Sequence, residues 1–157
     1  MTEFTHLDAA GHARMVDVTG KQVSQRVATA EGFVSCSATV VAALREGTVP
    51  KGDVLAVARV AGIAAAKRTP DLLPLAHVIG IHGVEVDLRI EDDGVALRAT
   101  VRTCDRTGVE MEAFTAVSVA ALALVDMVKS LDRSVEIAHI RLVAKAGGRS
   151  GQWHRDA

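Results

Sequence analysis

Two charged residues stand in an otherwise uncharged stretch. Between Ala113 and Leu131 the only ionisable side chains are Asp126 and Lys129. A helix that is apolar all round is buried on most sides, and a charge placed there is costly unless it is paired. Residues three apart share a helix face, so these two can pair. A lysine in a desolvated pocket loses its proton more readily, while a nearby carboxylate opposes that shift and aims the ammonium. Such a pair can transfer protons. Two blander readings compete: a structural ion pair, or a helix end emerging into water, since Ser130, Asp132 and Arg133 follow at once.

Other groups carry the same double reading. Glu110 and Glu112 fall where the long helix begins, which suits the helix dipole; around Met111, just after Thr107 and Gly108, they can also bind the donors of a nucleobase. Lys51 precedes a helix start, as a cation at a pocket mouth or as a solvated side chain. Lys67 and Arg68 at the far end of that helix suit its C-terminal dipole or a phosphate. Arg26 in the first strand has the same two readings. His77 ends an apolar irregular stretch, Leu72 to Ala76. The run from Lys145 to Gly151 is similar to a phosphate loop but lacks the GxxxxGK[ST] pattern and a following helix. Several cations and several acids on a nearly neutral chain suit a hydrogen-bonding substrate that carries a polyphosphate.

The elements that must position these residues follow from periodicity and punctuation. Val23 to Ser37 reads as extended, with Gly32 as a bulge or kink. Thr39 is the expected cap of a short helix stopped at Glu46-Gly47. Asp53 caps a second helix that runs to about Lys67, with Val54, Val57, Ala58, Ala61 and Ala65 at helical spacing. Thr69-Pro70 breaks it, and the chain to His77 is expected to be irregular. His82 to Ile90 and Val95 to Cys104 form a hairpin around Asp92-Asp93-Gly94. The long helix covers roughly Met111 to Leu131, and Val135 to Lys145 is a last strand. Residues 1–20 read as a loose arm and 147–157 as a mobile tail around one domain spanning 1–157. This order predicts an α+β, ferredoxin-like sandwich, a mainly antiparallel sheet with helices packed on one face. The all-apolar long helix favours an oligomer.

Composition narrows the function classes. The chain has 157 residues, 49% hydrophobic and 24% charged, enough for a packed core. A net charge of −1 gives no global attraction to nucleic acid or anionic lipid. Aromatics at 3%, with no Tyr, disfavour a base-stacking RNA module. Cys36 and Cys104 form no CxxC pair, and the six His show no metal-ligand spacing, so neither a disulfide framework nor a metal is expected. The N-terminal residues lack a secretory pattern and the run Ala113 to Val125 is too short for a bilayer, so the expected location is cytoplasmic, with no membrane or nucleic-acid partner. A non-catalytic nucleotide-binding scaffold is the competing class; turnover separates it from an enzyme.

Six segments carry a family resemblance: MVDV (Met15 to Val18), KGDVLAVARVAGIAAAKRT (Lys51 to Thr69), LLPLAH (Leu72 to His77), TGVEMEAFTAVSVAAL (Thr107 to Leu122), DMVKSLD (Asp126 to Asp132) and KAGGRSG (Lys145 to Gly151). In this order they resemble the MoaC family, the cyclic pyranopterin monophosphate synthases of molybdenum cofactor biosynthesis, over about Thr5 to Gly151. The resemblance implies a lyase that converts 3′,8-cyclo-7,8-dihydro-GTP to cyclic pyranopterin monophosphate with release of pyrophosphate. It implies a ferredoxin-like fold, a homohexamer built from three dimers with sites at the dimer interface, and no cofactor or metal. Carried over by position, Asp126, Lys129 and Lys51 are the expected catalytic residues. Leu75, Ala76, His77, Glu110, Met111, Glu112, Arg26, Lys67 and Arg68 are the expected substrate contacts. The chain departs from many relatives at Ala76 and Val128, where they have Cys, and at Phe114, where Leu is usual. None of these removes an ionisable group, which implies that those cysteines are dispensable.

Overall fold

The computed structural model describes residues 6–156. Strand β1 (Ser24–Ser35) is followed by helices α1 (Ala38–Glu46), α2 (Val54–Ala66) and the short α3 (Thr69–Leu72). Strands β2 (Gly83–Ile90) and β3 (Gly94–Asp105) form the expected hairpin, helix α4 (Glu110–Val128) crosses back, and β4 (Glu136–Ala146) and β5 (Trp153–His154) complete the chain. The sheet order is β2-β3-β1-β4-β5 and every pairing is antiparallel. This is the α+β, ferredoxin-like arrangement that the order of elements predicts.

Alternation decides which sheet face is covered. Ala28, Ala30 and Val34 of β1 and Val95, Leu97, Ala99 and Val101 of β3 are all buried, and they form one core with Ala113, Ala116, Val117, Ala120, Ala121 and Leu124 of α4. The opposite face carries cross-strand ion pairs, such as Arg141–Glu31 at 2.7 Å and Arg102–Glu85 at 2.7 Å, among uncharged residues such as Thr29, Phe33 and Thr100. The ladder between β1 and β4 slips between Thr29 and Ala30 and again between Phe33 and Val34, on either side of Gly32. The kink expected at that glycine is therefore a pair of irregularities flanking it.

Helices α2 and α4 pack side by side and antiparallel. Gly62 makes the close approach possible: a Cβ there would lie 2.8 Å from the backbone oxygen of Ala116 and 3.2 Å from the Cβ of Ala120. By length and composition α4 could cross a bilayer, yet half of it is buried in this core. Arg59 of α2 reaches the outer strand and donates from Nε to the Val86 carbonyl at 3.0 Å, which covers part of an otherwise open sheet edge.

Four expectations are corrected. The residue before α1 is Ser37, not Thr39, and its side chain makes no capping bond. Pro70 does not simply end α2; it sits in the first turn of α3, where a proline lacks nothing the helix needs. Helix α4 stops at Val128 rather than Leu131, because Asp132 accepts from the Ser134 backbone and hydroxyl and turns the chain. The tail expected to be mobile turns back, and Trp153 and His154 pair with Lys145 and Ala144. Arg155 adds bonds to the backbone of Val143 and Leu142. Most of residues 6–20 are exposed, and the segment makes one inward contact described below.

Candidate active site

The antiparallel packing of α2 on α4 brings Lys51 to the C-terminal end of α4. Lys51 stands in a turn ahead of α2, where Gly52 adopts φ +99°, a conformation that a side chain would oppose. The next residue, Asp53, caps α2 by accepting from the Ala56 N–H at 3.0 Å, as expected. The Lys51 ammonium then donates to the Asp126 carbonyl at 2.7 Å and lies 3.2 Å from its Oδ2. The carbonyls of a helix's last turn lack intrahelical partners and carry partial negative charge, so the ammonium is well placed there. Lys129 pairs with Oδ1 of the same carboxylate at 2.7 Å. Asp126 thus sits between two ammonium groups, and their hydrogen bonds, Lys129 first and Lys51 next, hold its carboxyl below the usual range.

One expectation about this cluster needs correction. The helix end does emerge: Lys51, Asp126 and Lys129 are 40%, 58% and 57% exposed. Within one protomer the lysines are not desolvated. Emergence alone, however, does not recruit a lysine from 75 residues away in the chain.

A second constellation forms at the other end of α4. A cavity of about 520 Å³ is lined by Leu75, Ala76, His77, Glu110, Met111 and Glu112, together with Val16, Val18, Lys21 and Arg149. His77 donates from Nε2 to the Val16 carbonyl at 2.6 Å, so the arm orients the imidazole and leaves Nδ1 as the other polar atom. Glu110 is paired with Lys145 at 2.8 Å. Glu112 is only 3% exposed. Burial, aided by the charge of Glu110, pushes its carboxyl up, while its own backbone N–H and His77 oppose the shift. Its environment favours holding a proton. Arg26 is fixed from β1 by bonds to the carbonyls of Asp105 at 3.0 Å and Arg106 at 3.1 Å. Lys67 and Arg68 lie at the end of α2, Arg68 paired with Asp71 at 3.3 Å, and neither lines this cavity.

The two constellations are not one site within a protomer. Glu112 and Asp126 are fourteen residues apart on one straight helix, which places them about 21 Å apart at 1.5 Å per residue. Among the described residues no group of His, Cys, Asp and Glu is arranged to hold a metal. Sequence reasoning missed Lys21, Val16, Val18, Lys145 and Arg149 as neighbours of the site. The segments MVDV and KAGGRSG hold all of these except Lys21 and were the available signal; MVDV carried no role, and KAGGRSG lacks the phosphate-loop pattern.

Comparison with known proteins fits this geometry. The MoaC family model matches residues 15–148, a span that includes the Lys51, Asp126 and Lys129 cluster and, of the second constellation, His77, Glu110 and Glu112 but not Arg149. The chain belongs to the MoaC family. It is 61% identical over 154 residues to a protein of Nocardioides sp., covering 96% of this chain and 94% of that one. It is 59% identical to a protein of Streptomyces coelicolor, covering 96% and 89%. It is 55% identical to a protein of Thermomicrobium roseum, covering 99% and 95%. All three carry the name cyclic pyranopterin monophosphate synthase. Lys51, His77, Glu112, Asp126 and Lys129 all fall inside the span matched by the MoaC model.

Proposed function

We propose that this chain is a cyclic pyranopterin monophosphate synthase, an enzyme of molybdenum cofactor biosynthesis. It takes 3′,8-cyclo-7,8-dihydro-GTP to cyclic pyranopterin monophosphate and pyrophosphate. The observation that carries this reading is the convergence of Lys51 and Lys129 on Asp126, in a chain of the MoaC family.

The reaction needs protons moved during opening of the purine-derived ring and closure of the pterin. Lys51 and Lys129 serve as donors and acceptors, and Asp126 orients both. The sugar hydroxyl attacks the α-phosphorus, a new P–O bond forms, and the bond to the β-phosphate oxygen breaks to release pyrophosphate. Arg26, Lys67, Arg68 and His77 offset the charge of the triphosphate and of the leaving group. Leu75 to His77 and Met111 frame the base-derived ring. Glu112, and Glu110 beside it, accept from its N–H groups. No metal or cofactor enters this scheme.

The distance along α4 supports a shared site. A general acid or base must come within hydrogen-bond reach of the atom it serves, and the two ends of α4 cannot meet inside one protomer. The Asp126 end of one copy therefore faces the His77 and Glu112 end of another, within a homohexamer of three dimers, and burial in that contact supplies the desolvation that the lone protomer lacks. We place this one-domain enzyme in the cytoplasm, in keeping with the free thiols of Cys36 and Cys104. Incubation of the purified chain with the cyclised GTP substrate tests the activity. Cyclic pyranopterin monophosphate and pyrophosphate should appear in equal amounts; binding without turnover would leave only a nucleotide-binding scaffold.

A further inference from the structure

The chain beyond β4 is tied down at its far end. Strand β5 pairs with the last residues of β4, Trp153 with Lys145 and His154 with Ala144. The Arg155 N–H donates to the Val143 carbonyl at 2.9 Å, and its Nε donates to the Leu142 carbonyl at 2.7 Å. The Arg155 guanidinium also lies over the Trp153 ring, 5.8 Å from its centre. Strands β4 and β5 thus form a hairpin whose loop covers residues 147–152. Trp153 and Arg155 lie beyond the span matched by the MoaC model, and the reaction scheme above uses neither.

The loop of this hairpin faces the site. Arg149 lines the cavity of His77 and Glu112. Gly147 and Ser150 line a small cleft with Glu110 and Lys145. Such a loop does not hold its own shape. Gly147, Gly148 and Gly151 have φ of +100°, +70° and +67°, and glycine loses the most freedom on ordering. Among the described residues, the only backbone hydrogen bond within the loop is from Gly151 to Gly148, at 3.3 Å. Its shape is therefore set from outside. On one side β4 is fixed by β1, through the pairing of Val27 with Ala146. On the other side stands β5. Lys145 joins these parts: its backbone lies between Ala28 and Trp153, and its ammonium pairs with Glu110 at 2.8 Å.

We propose that β5 is a clasp for substrate binding: its pairing with β4 closes the loop over residues 147–152 and holds Arg149 at the cavity wall. Trp153 and Arg155 are then positioning residues, which touch no substrate and act through the loop. Because the hairpin is formed before substrate arrives, the loop is ordered in advance and binding is tighter. Opening the clasp weakens binding and leaves the proton-transfer groups Lys51, Asp126 and Lys129 as they are. The inference rests on the reading of the His77 and Glu112 cavity as the substrate site.

Three full-length variants test it. Trp153→Pro takes the Trp153 N–H out of the pairing. Trp153→Phe keeps the strand and an aromatic ring. Arg155→Ala removes the bond to Leu142 and the ring contact. All three positions are exposed at a sheet edge, so circular dichroism should match wild type. Titration calorimetry with GTP, an unreactive nucleotide, should show Trp153→Pro and Arg155→Ala binding at least about fivefold more weakly, the scale of one net hydrogen bond. Trp153→Phe should stay near wild type. In turnover, KM for the cyclised GTP substrate should rise by a similar factor while kcat stays within about twofold. Linkage requires the converse, so saturating GTP should slow hydrogen exchange at the Arg155 amide of the wild type. Wild-type GTP affinity and KM in both Trp153→Pro and Arg155→Ala would overturn the clasp, as would equal losses in Trp153→Phe and Trp153→Pro, or a fall in kcat alone. If those constants are unchanged while pyranopterin still forms, the enzymatic reading stands and the clasp fails. If the GTP losses appear in a chain that forms no pyranopterin, the clasp stands and the enzymatic reading fails.

Discussion

Lys51 and Asp126 are joined twice, once through the carboxylate at 3.2 Å and once through the Asp126 backbone carbonyl at 2.7 Å. The ammonium therefore ties the start of α2 to the end of α4 and shares a carboxylate with Lys129. Asp126→Asn keeps the backbone bond and removes the charge that both lysines share. Its turnover should fall at least about a hundredfold, the usual scale for a proton-transfer group, with an unchanged circular dichroism spectrum. Near-normal turnover would return Asp126 to a structural role.

Lys51→Ala and Lys129→Ala should each cut turnover by a similar factor. Exposed ion pairs add little to stability, so the thermal midpoint should stay close to wild type in both. A variant that makes pyranopterin at the wild-type rate removes that lysine from the mechanism.

Glu112 gives a pH-dependent signature. Its carboxyl is raised from the ordinary value of 4.5 by burial. Below that value the acid is protonated in folded and unfolded chains alike and its burial costs nothing in ionisation. As pH rises toward the folded value, the unfolded chain ionises first and stability is lost. Glu112→Gln cannot ionise, so its thermal midpoint should exceed wild type at pH 7 by a few degrees, if the gain is about 1 kcal/mol. The difference should vanish near pH 4. A constant difference across that range would refute the burial argument. Turnover should fall in the same variant.

A shared site predicts complementation. Asp126→Asn and Glu112→Gln damage opposite ends of α4. Each variant alone is expected to be nearly inactive, but co-refolded mixtures should recover up to about a quarter of wild-type activity. Random pairing makes half the pairs mixed, and each mixed pair holds one intact site of two. Mixtures no more active than their parts would place the whole site within one protomer.

Packing between α2 and α4 sets the Lys51 to Asp126 distance. Gly62→Ala drives a methyl to 2.8 Å from the Ala116 carbonyl, and overpacking of this kind costs about 1–3 kcal/mol. A lowered chemical-denaturation midpoint should be accompanied by reduced turnover, because the helices must part. Unchanged stability would mean that the helix pair yields without strain.

Much of this protein is legible along the chain. Period-2 alternation marks β2, β3 and β4, and apolar spacing marks α2 and α4, because each element must bury one face. The order of those elements leaves the ferredoxin-like sheet as the natural packing. Asp126 and Lys129 stand out because a charge in an apolar run is costly enough to need a reason. The ends of elements are less legible: Ser37 replaces Thr39 before α1, and α4 stops three residues early, since single side-chain bonds such as those of Asp132 decide them.

Sequence periodicity by itself determined the elements, their order and the residues worth watching. Tertiary structure decided which of them meet. Lys51 reaches Asp126 only because α2 lies antiparallel on α4, and Gly62 lets it come that close. His77 is oriented by Val16, sixty-one residues earlier, and Arg149 closes a cavity with Arg26 across the sheet end. Local periodicity reports which face a residue occupies. Contacts between distant segments depend on crossing and register, which are fixed when the whole core packs at once.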